Sequence, residues 1–123
     1  MTEKLAKMKM SIGGYMGHSY SIEKTDDSLV YEVRSHGYKH ESTEEIVPAE
    51  EQWRTFLQAL DDLAAWKWKK RYEDPNVCDG TSWSVEVKLG TRMISTVGSN
   101  GYPERFGDFL DAVSGLIGGR VFR

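Results

Sequence analysis

The chain has 123 residues, of which 39% are hydrophobic, 28% charged and 11% aromatic, and its formal net charge is −3. That length supports one hydrophobic core and is too short for two ordinary domains, so a single globular domain over 1–123 is expected. The aromatic content and small net charge exclude an intrinsically disordered chain, and the acidic balance excludes an overall bias toward nucleic acid or anionic lipid.

The first residues interleave Lys4, Lys7 and Lys9 with Met8 and Met10 and hold no continuous apolar stretch of the signal-peptide kind. No run approaches the roughly 18 apolar residues of a membrane span. Cys78 is the only cysteine, so no internal disulfide is available. These features predict a cytoplasmic protein with no membrane partner.

In chain order, Met8, Met10 and Ile12 alternate with Lys7, Lys9 and Ser11, the period of a half-buried strand, and Gly13-Gly14 ends it. Tyr20 and Ile22 repeat the pattern in a second strand. Asp26-Asp27-Ser28 is a turn, and Leu29, Tyr31 and Val33 mark a third strand that Gly37 interrupts. Residues 38–47 read as a fourth strand with Ile46 as its firmest apolar position. Short connections predict an antiparallel meander.

Pro48 is expected to open a helix, since proline suits the first helical position. Glu50 and Glu51 in its first turn favour the helix dipole, and Trp53, Phe56, Leu57, Leu60 and Leu63 form an apolar stripe. Trp66, Trp68 and Tyr72 alternate with Lys67, Lys69 and Arg71 and predict an extended segment. Trp83, Val85, Val87 and Leu89 form the cleanest strand, Gly90-Thr91 turns it, and residues 92–97 return. After a loop over 98–103, Pro103 is expected to open a last helix with Phe106, Phe109, Leu110, Val113, Leu116 and Ile117 on its apolar face and Gly118-Gly119 at its end. The expected fold is α+β: a single antiparallel sheet in the order β-β-β-β-α-β-β-β-α, with two helices packed on one face.

No catalytic pattern emerges. Cys78 has no histidine near it in sequence, and a thiolate nucleophile needs a base or a cationic environment, so it reads as a small apolar residue before a strand. His36 and His40 would lie about 13 Å apart on a strand, and nothing has the spacing of a metal site, so neither metal nor cofactor is implied. The run Trp66, Lys67, Trp68, Lys69, Lys70, Arg71, Tyr72 has the basic and aromatic composition that stacks bases and holds phosphates. Its competing readings are a strand with Trp66 and Trp68 in the core, or a basic stretch that balances the acidic residues of 41–62. Gly98-Ser99-Asn100-Gly101-Tyr102-Pro103 precedes a helix but lacks the spacing of a phosphate loop, and Glu104 at its mouth would repel an anion.

The residues Asp79, Gly80, Thr81 and Trp83, followed by Gly98, Asn100, Tyr102, Pro103 and Phe106, resemble a DGTxW-strand-turn-strand-GxNxYPxxF-helix module of small, uncharacterised bacterial proteins. The resemblance covers somewhat under half the chain, brings no known activity with it, and implies a bacterial origin. Each of its positions also has a folding role in turns, strand and helix start.

The expected function is therefore a non-enzymatic binding or protein-interaction module with a protein partner or a second copy on the exposed sheet face or an edge strand. The residues singled out for binding are Trp66, Lys67, Trp68, Lys69, Lys70, Arg71, Tyr72, Cys78, Asn100 and Tyr102, and none is assigned to catalysis or metal. One alternative is a small-molecule-binding protein or small enzyme with a pocket between sheet and helices, walled by His18, Tyr20, Cys78 and Tyr102. The other is nucleic-acid binding through 66–72.

Overall fold

The alternation of apolar and polar side chains decides which way each strand faces. In the computed structural model, which describes residues 5–74 and 80–123, the elements are β1 (Leu5–Gly13), β2 (Ser19–Thr25), β3 (Ser28–Ser35), β4 (Lys39–Ile46), α1 (Glu50–Asp62), β5 (Arg71–Glu73), β6 (Ser82–Leu89), β7 (Arg92–Ser99) and α2 (Phe106–Leu116). The strands make one seven-stranded sheet in the order β4-β3-β2-β1-β6-β7-β5. Met8, Met10, Ile12, Ile22, Leu29, Tyr31, Trp83, Val85, Val87, Leu89 and Ile94 share one face and are buried. Phe56 and Leu60 of α1 and Phe106, Phe109, Val113 and Leu116 of α2 join the same core, so both helices cover that face. Each large side chain buried this way contributes about 1.5–3 kcal/mol.

The sheet is mixed rather than wholly antiparallel. β5 pairs in parallel with β7, Arg71 opposite Val97 and Glu73 opposite Ser99. The chain leaves β4 at one edge, crosses the covered face through α1 and re-enters at the other edge. It meets β7 there rather than its sequence neighbour β6, so no hairpin dictates an antiparallel pair.

The extended segment expected at 66–72 is shorter than its alternation suggests. Ala64, at φ 53, ends α1 in the left-handed region and sends residues 65–67 into a 3-10 turn, so only Arg71–Glu73 pair as a strand. Neither proline is the first helical residue. Ala49 caps α1, its N–H donating to Gln52 Oε1 at 2.7 Å, and Pro48 precedes that cap. Arg105, at φ 60, caps α2 after a turn at 104–105, and its Nε donates to Asp108 Oδ2 at 2.9 Å.

Gly118 and Gly119, at φ 72 and 89, turn the chain off α2. The last residues then return to the sheet. Phe122 is buried, Tyr31 donates its hydroxyl to the Val121 carbonyl at 2.6 Å, and Arg120 Nε donates to Glu44 Oε2 at 2.6 Å. No helix among the described residues is long and apolar enough to cross a membrane.

Candidate functional site

The aromatic residues of the 66–72 run point inward. Trp68 meets Phe109 edge-on with ring centroids 5.0 Å apart and Trp83 at 6.3 Å, and Tyr72 lies 6.0 Å from Trp83. Trp66 Nε1 donates to Asp61 Oδ1 at 2.8 Å, while Arg92 sits 4.5 Å above the Trp66 ring and also donates to Asp61 at 2.9 Å. Little free ring face remains for stacking a base. Arg71 pairs with Glu73 at 2.8 Å. Lys67, Lys69 and Lys70 are exposed and make no ion pair among the described residues.

Tyr102 packs on Trp83 and Phe106, at 6.4 and 5.3 Å. Asn100, at φ 58, accepts the Thr81 N–H at 3.0 Å through its Oδ1, and its own N–H donates to the Thr81 carbonyl at 3.0 Å. Trp83 Nε1 donates to the Gly101 carbonyl at 2.8 Å. The GxNxYPxxF stretch, with Thr81 and Trp83, thus ties two loops and an aromatic cluster together. Cys78 and Asp79 lie outside the described residues.

The opposite face of the sheet carries a concavity that, among the described residues singled out above for binding or as pocket walls, only Tyr20 lines. Its floor is Ser21 of β2, Ser11 of β1 and Ser84 of β6, which stand side by side in register, with Ser19, Gly13 and Ser82 in the next row. These side chains are small, whereas those beside them are large. Glu32 and Arg34 of β3 rise on one side and Val97 of β7 on the other, enclosing a cavity of about 460 Å³. Four strand-to-strand steps separate the two walls, or about 19 Å between backbones. The Ser11 and Ser84 hydroxyls bond one another at 2.8 Å. The hydroxyls of Ser19, Ser21 and Ser82 have no side-chain partner among the described residues. Glu32 and Arg34 form an ion pair along β3, so the wall is close to neutral.

An aromatic rim stands at the end of this cavity, where the β1–β2 and β3–β4 loops meet. The Gly37 N–H donates to the Tyr15 carbonyl at 2.8 Å and locks the loops together. Tyr15 contacts His36 and Tyr38 edge-on, at 5.1 and 5.8 Å. Tyr15, Met16 and Tyr38 are nonetheless 57%, 69% and 50% exposed, and none belongs to the core. Tyr38 also lines the cavity. Its φ of 59 puts a bulky residue in the left-handed region, which costs about 1 kcal/mol.

Of the residues expected to wall a sheet–helix pocket, Cys78 lies outside the described residues, and His18 and Tyr20 lie apart from Tyr102. His18 stacks on Tyr20 at 6.3 Å and pairs with Glu41 at 3.1 Å, whereas Tyr102 belongs to the Trp83 cluster, and the space between sheet and helices is filled by apolar side chains. His40 bonds Thr43 at 2.7 Å. Among the described residues, no group of three or more His, Cys, Asp or Glu gathers as a metal site. Among the described residues one ionisable group is clearly perturbed: burial pushes the Tyr31 hydroxyl above its ordinary pKa, Tyr20 and Glu44 push it the same way, and Arg120 opposes them.

The serine floor has a signal in the sequence, because Ser11, Ser19, Ser21, Ser82 and Ser84 occupy the outward positions of three alternating strands. The rim has less of one, since Tyr15 and Tyr38 come from separate loops that only the sheet brings together. No protein-family model matches the chain, and no curated protein is significantly similar to it.

Proposed function

We propose that the chain is a non-enzymatic interaction module that holds a protein partner on the open face of its sheet, with Tyr15, Met16 and Tyr38 as anchors and the serine floor as a seat. The observation that carries this reading is the exposed Tyr15–Tyr38 pair at the rim of a neutral, hydroxyl-floored concavity. Tyrosine supplies broad contact area at low entropic cost, and serine and glycine supply adaptable hydrogen bonding, the mixture that recurs in protein-recognition surfaces. A concave floor calls for a convex occupant, and an α-helix, about 10–12 Å across, is narrower than the span between the walls. The sequence resemblance and the lone cysteine support a bacterial, cytoplasmic setting for this module.

The test is affinity capture with the wild-type chain and with a Tyr15→Ser/Tyr38→Ser variant of matched stability. The reading expects a defined protein held by the wild type and lost by the variant. Equal retention by both would count against it.

A further inference from the structure

The β3–β4 connection is three residues long, His36–Tyr38 between the paired Ser35 and Lys39. Two of the three are left-handed: Gly37 has φ 72 and ψ 21, and Tyr38 follows at φ 59. A three-residue hairpin loop ordinarily needs one such residue. The second falls on a bulky side chain, at a position that glycine would fill without strain. The Gly37 N–H leaves its own hairpin and donates to the Tyr15 carbonyl at 2.8 Å, the one backbone hydrogen bond between the two loops among the described residues. The Tyr15 ring lies over Gly37, where an added Cβ would sit 3.6 Å from the Tyr15 hydroxyl and 3.7 Å from its ring, an ordinary contact. Space therefore does not demand glycine at 37; the backbone angle does. Tyr15 meets both His36 and Tyr38 edge-on, so three exposed rings from two loops are held as one unit.

We infer that Gly37 is the positioning residue of this surface: its left-handed backbone latches the two loops, so Tyr15 and Tyr38 meet a partner already in place. The inference rests on the reading of these two tyrosines as partner anchors. Gly37 has no side chain to offer a partner and acts through the rings it fixes. Two free loop tyrosines would each lose rotamer freedom on binding, whereas a latched pair has lost it beforehand, which is how preorganisation raises affinity. The strain at Tyr38 fits this role. A sparsely populated backbone conformation persists only where its surroundings over-determine it, and here those surroundings are the Gly37–Tyr15 bond and the Tyr15–Tyr38 ring contact. Hairpin formation alone does not account for it, because a turn is served better by Gly or Asn than by Tyr at a left-handed position.

Three variants of the full chain test this. Gly37→Pro forbids the left-handed angle and removes the N–H. Gly37→Ala keeps the N–H and disfavours the angle, and Gly37→Asn keeps the N–H and tolerates the angle. In the free chain, NMR of the wild type and Gly37→Asn should show Tyr15 ring protons close to those of His36 and Tyr38, and Gly37→Pro should lose those contacts. Exchange protection of the residue 37 amide should fall about 5–30-fold in Gly37→Ala, the equilibrium weight of a left-handed L-residue, while the amides of β6 keep theirs in every variant. The protein that the wild type captures should bind Gly37→Pro about tenfold more weakly, since two side chains must then be ordered on binding, and Gly37→Asn as tightly as the wild type. Ring contacts that persist in Gly37→Pro, unchanged protection in Gly37→Ala, or a Gly37→Pro chain that binds as tightly as the wild type would each overturn the inference. Retention of the partner by the Tyr15→Ser/Tyr38→Ser variant overturns the anchor reading itself, whatever residue 37 does to the rings.

Discussion

Gly98 lies beneath the indole of Trp83: a methyl group there would overlap the ring nitrogen that donates to the Gly101 carbonyl. The two residues face each other across β6 and β7. The glycine is there for close approach, as its backbone angle is one any residue adopts. Gly98→Ala should therefore cost about 1–3 kcal/mol, the usual range for overpacking. The check is chemical denaturation followed by tryptophan fluorescence, with Gly107→Ala as control. Gly107 is helical and faces open space, so alanine there should be neutral or add up to about 1 kcal/mol.

Tyr31 links the C-terminal residues to the sheet through its bond to Val121. Its pKa is raised by burial above the ordinary 10.0, so folding favours the neutral phenol. That contribution is complete below pH 10 and is lost as pH rises through the folded value. Tyr31→Phe should lose about 0.5–1.5 kcal/mol at neutral pH. Above about pH 10 the wild type should lose stability more steeply than the variant, so the gap between them narrows. Thermal melts of both proteins from pH 7 to 11 measure this.

Tyr38 pays for its position, and the strain separates function from stability. Tyr38→Gly relieves about 1 kcal/mol of left-handed backbone and forfeits about 0.5–1.5 kcal/mol of ring contact with Tyr15. The two nearly cancel, so the variant should match the wild type in stability to within about 1 kcal/mol while losing partner binding. Parallel unfolding and binding measurements decide the point.

Filling the concavity should act in the same selective way. Ser21→Tyr adds a ring to the middle of the serine floor, on a strand that tolerates aromatics and next to a hydroxyl with no partner to lose. Stability should change by no more than about 0.5 kcal/mol, whereas binding to the open face should be abolished. A calorimetric titration with the captured partner provides the reading.

Much of the fold was legible in the residues themselves. The Phe56–Leu60 and Phe109–Val113 spacings announce helices, and the Trp83–Leu89 alternation announces a strand, because burial on one side imposes a period. The direction of β5 was not legible, since it depends on which edge the chain reaches after α1. The run at 66–72 misled for a related reason. Trp66, Trp68 and Tyr72 have the alternation of a strand, but the left-handed Ala64 turns the chain before it pairs, and those aromatics pack against the core. Asn100 and Tyr102 likewise serve the turn and the Trp83 cluster. An exposed sheet face was expected, but its concavity arises from differences in side-chain size across five strands that no single segment displays.

The central claim is that a partner sits on the open face beside Tyr38. A photo-crosslinking amino acid placed at residue 38, and separately at Asp111 on the exposed side of α2, tests it in the native cell. The account predicts a discrete crosslinked protein from residue 38 that is absent from residue 111. No adduct at residue 38, or the same adducts from both positions, would contradict it.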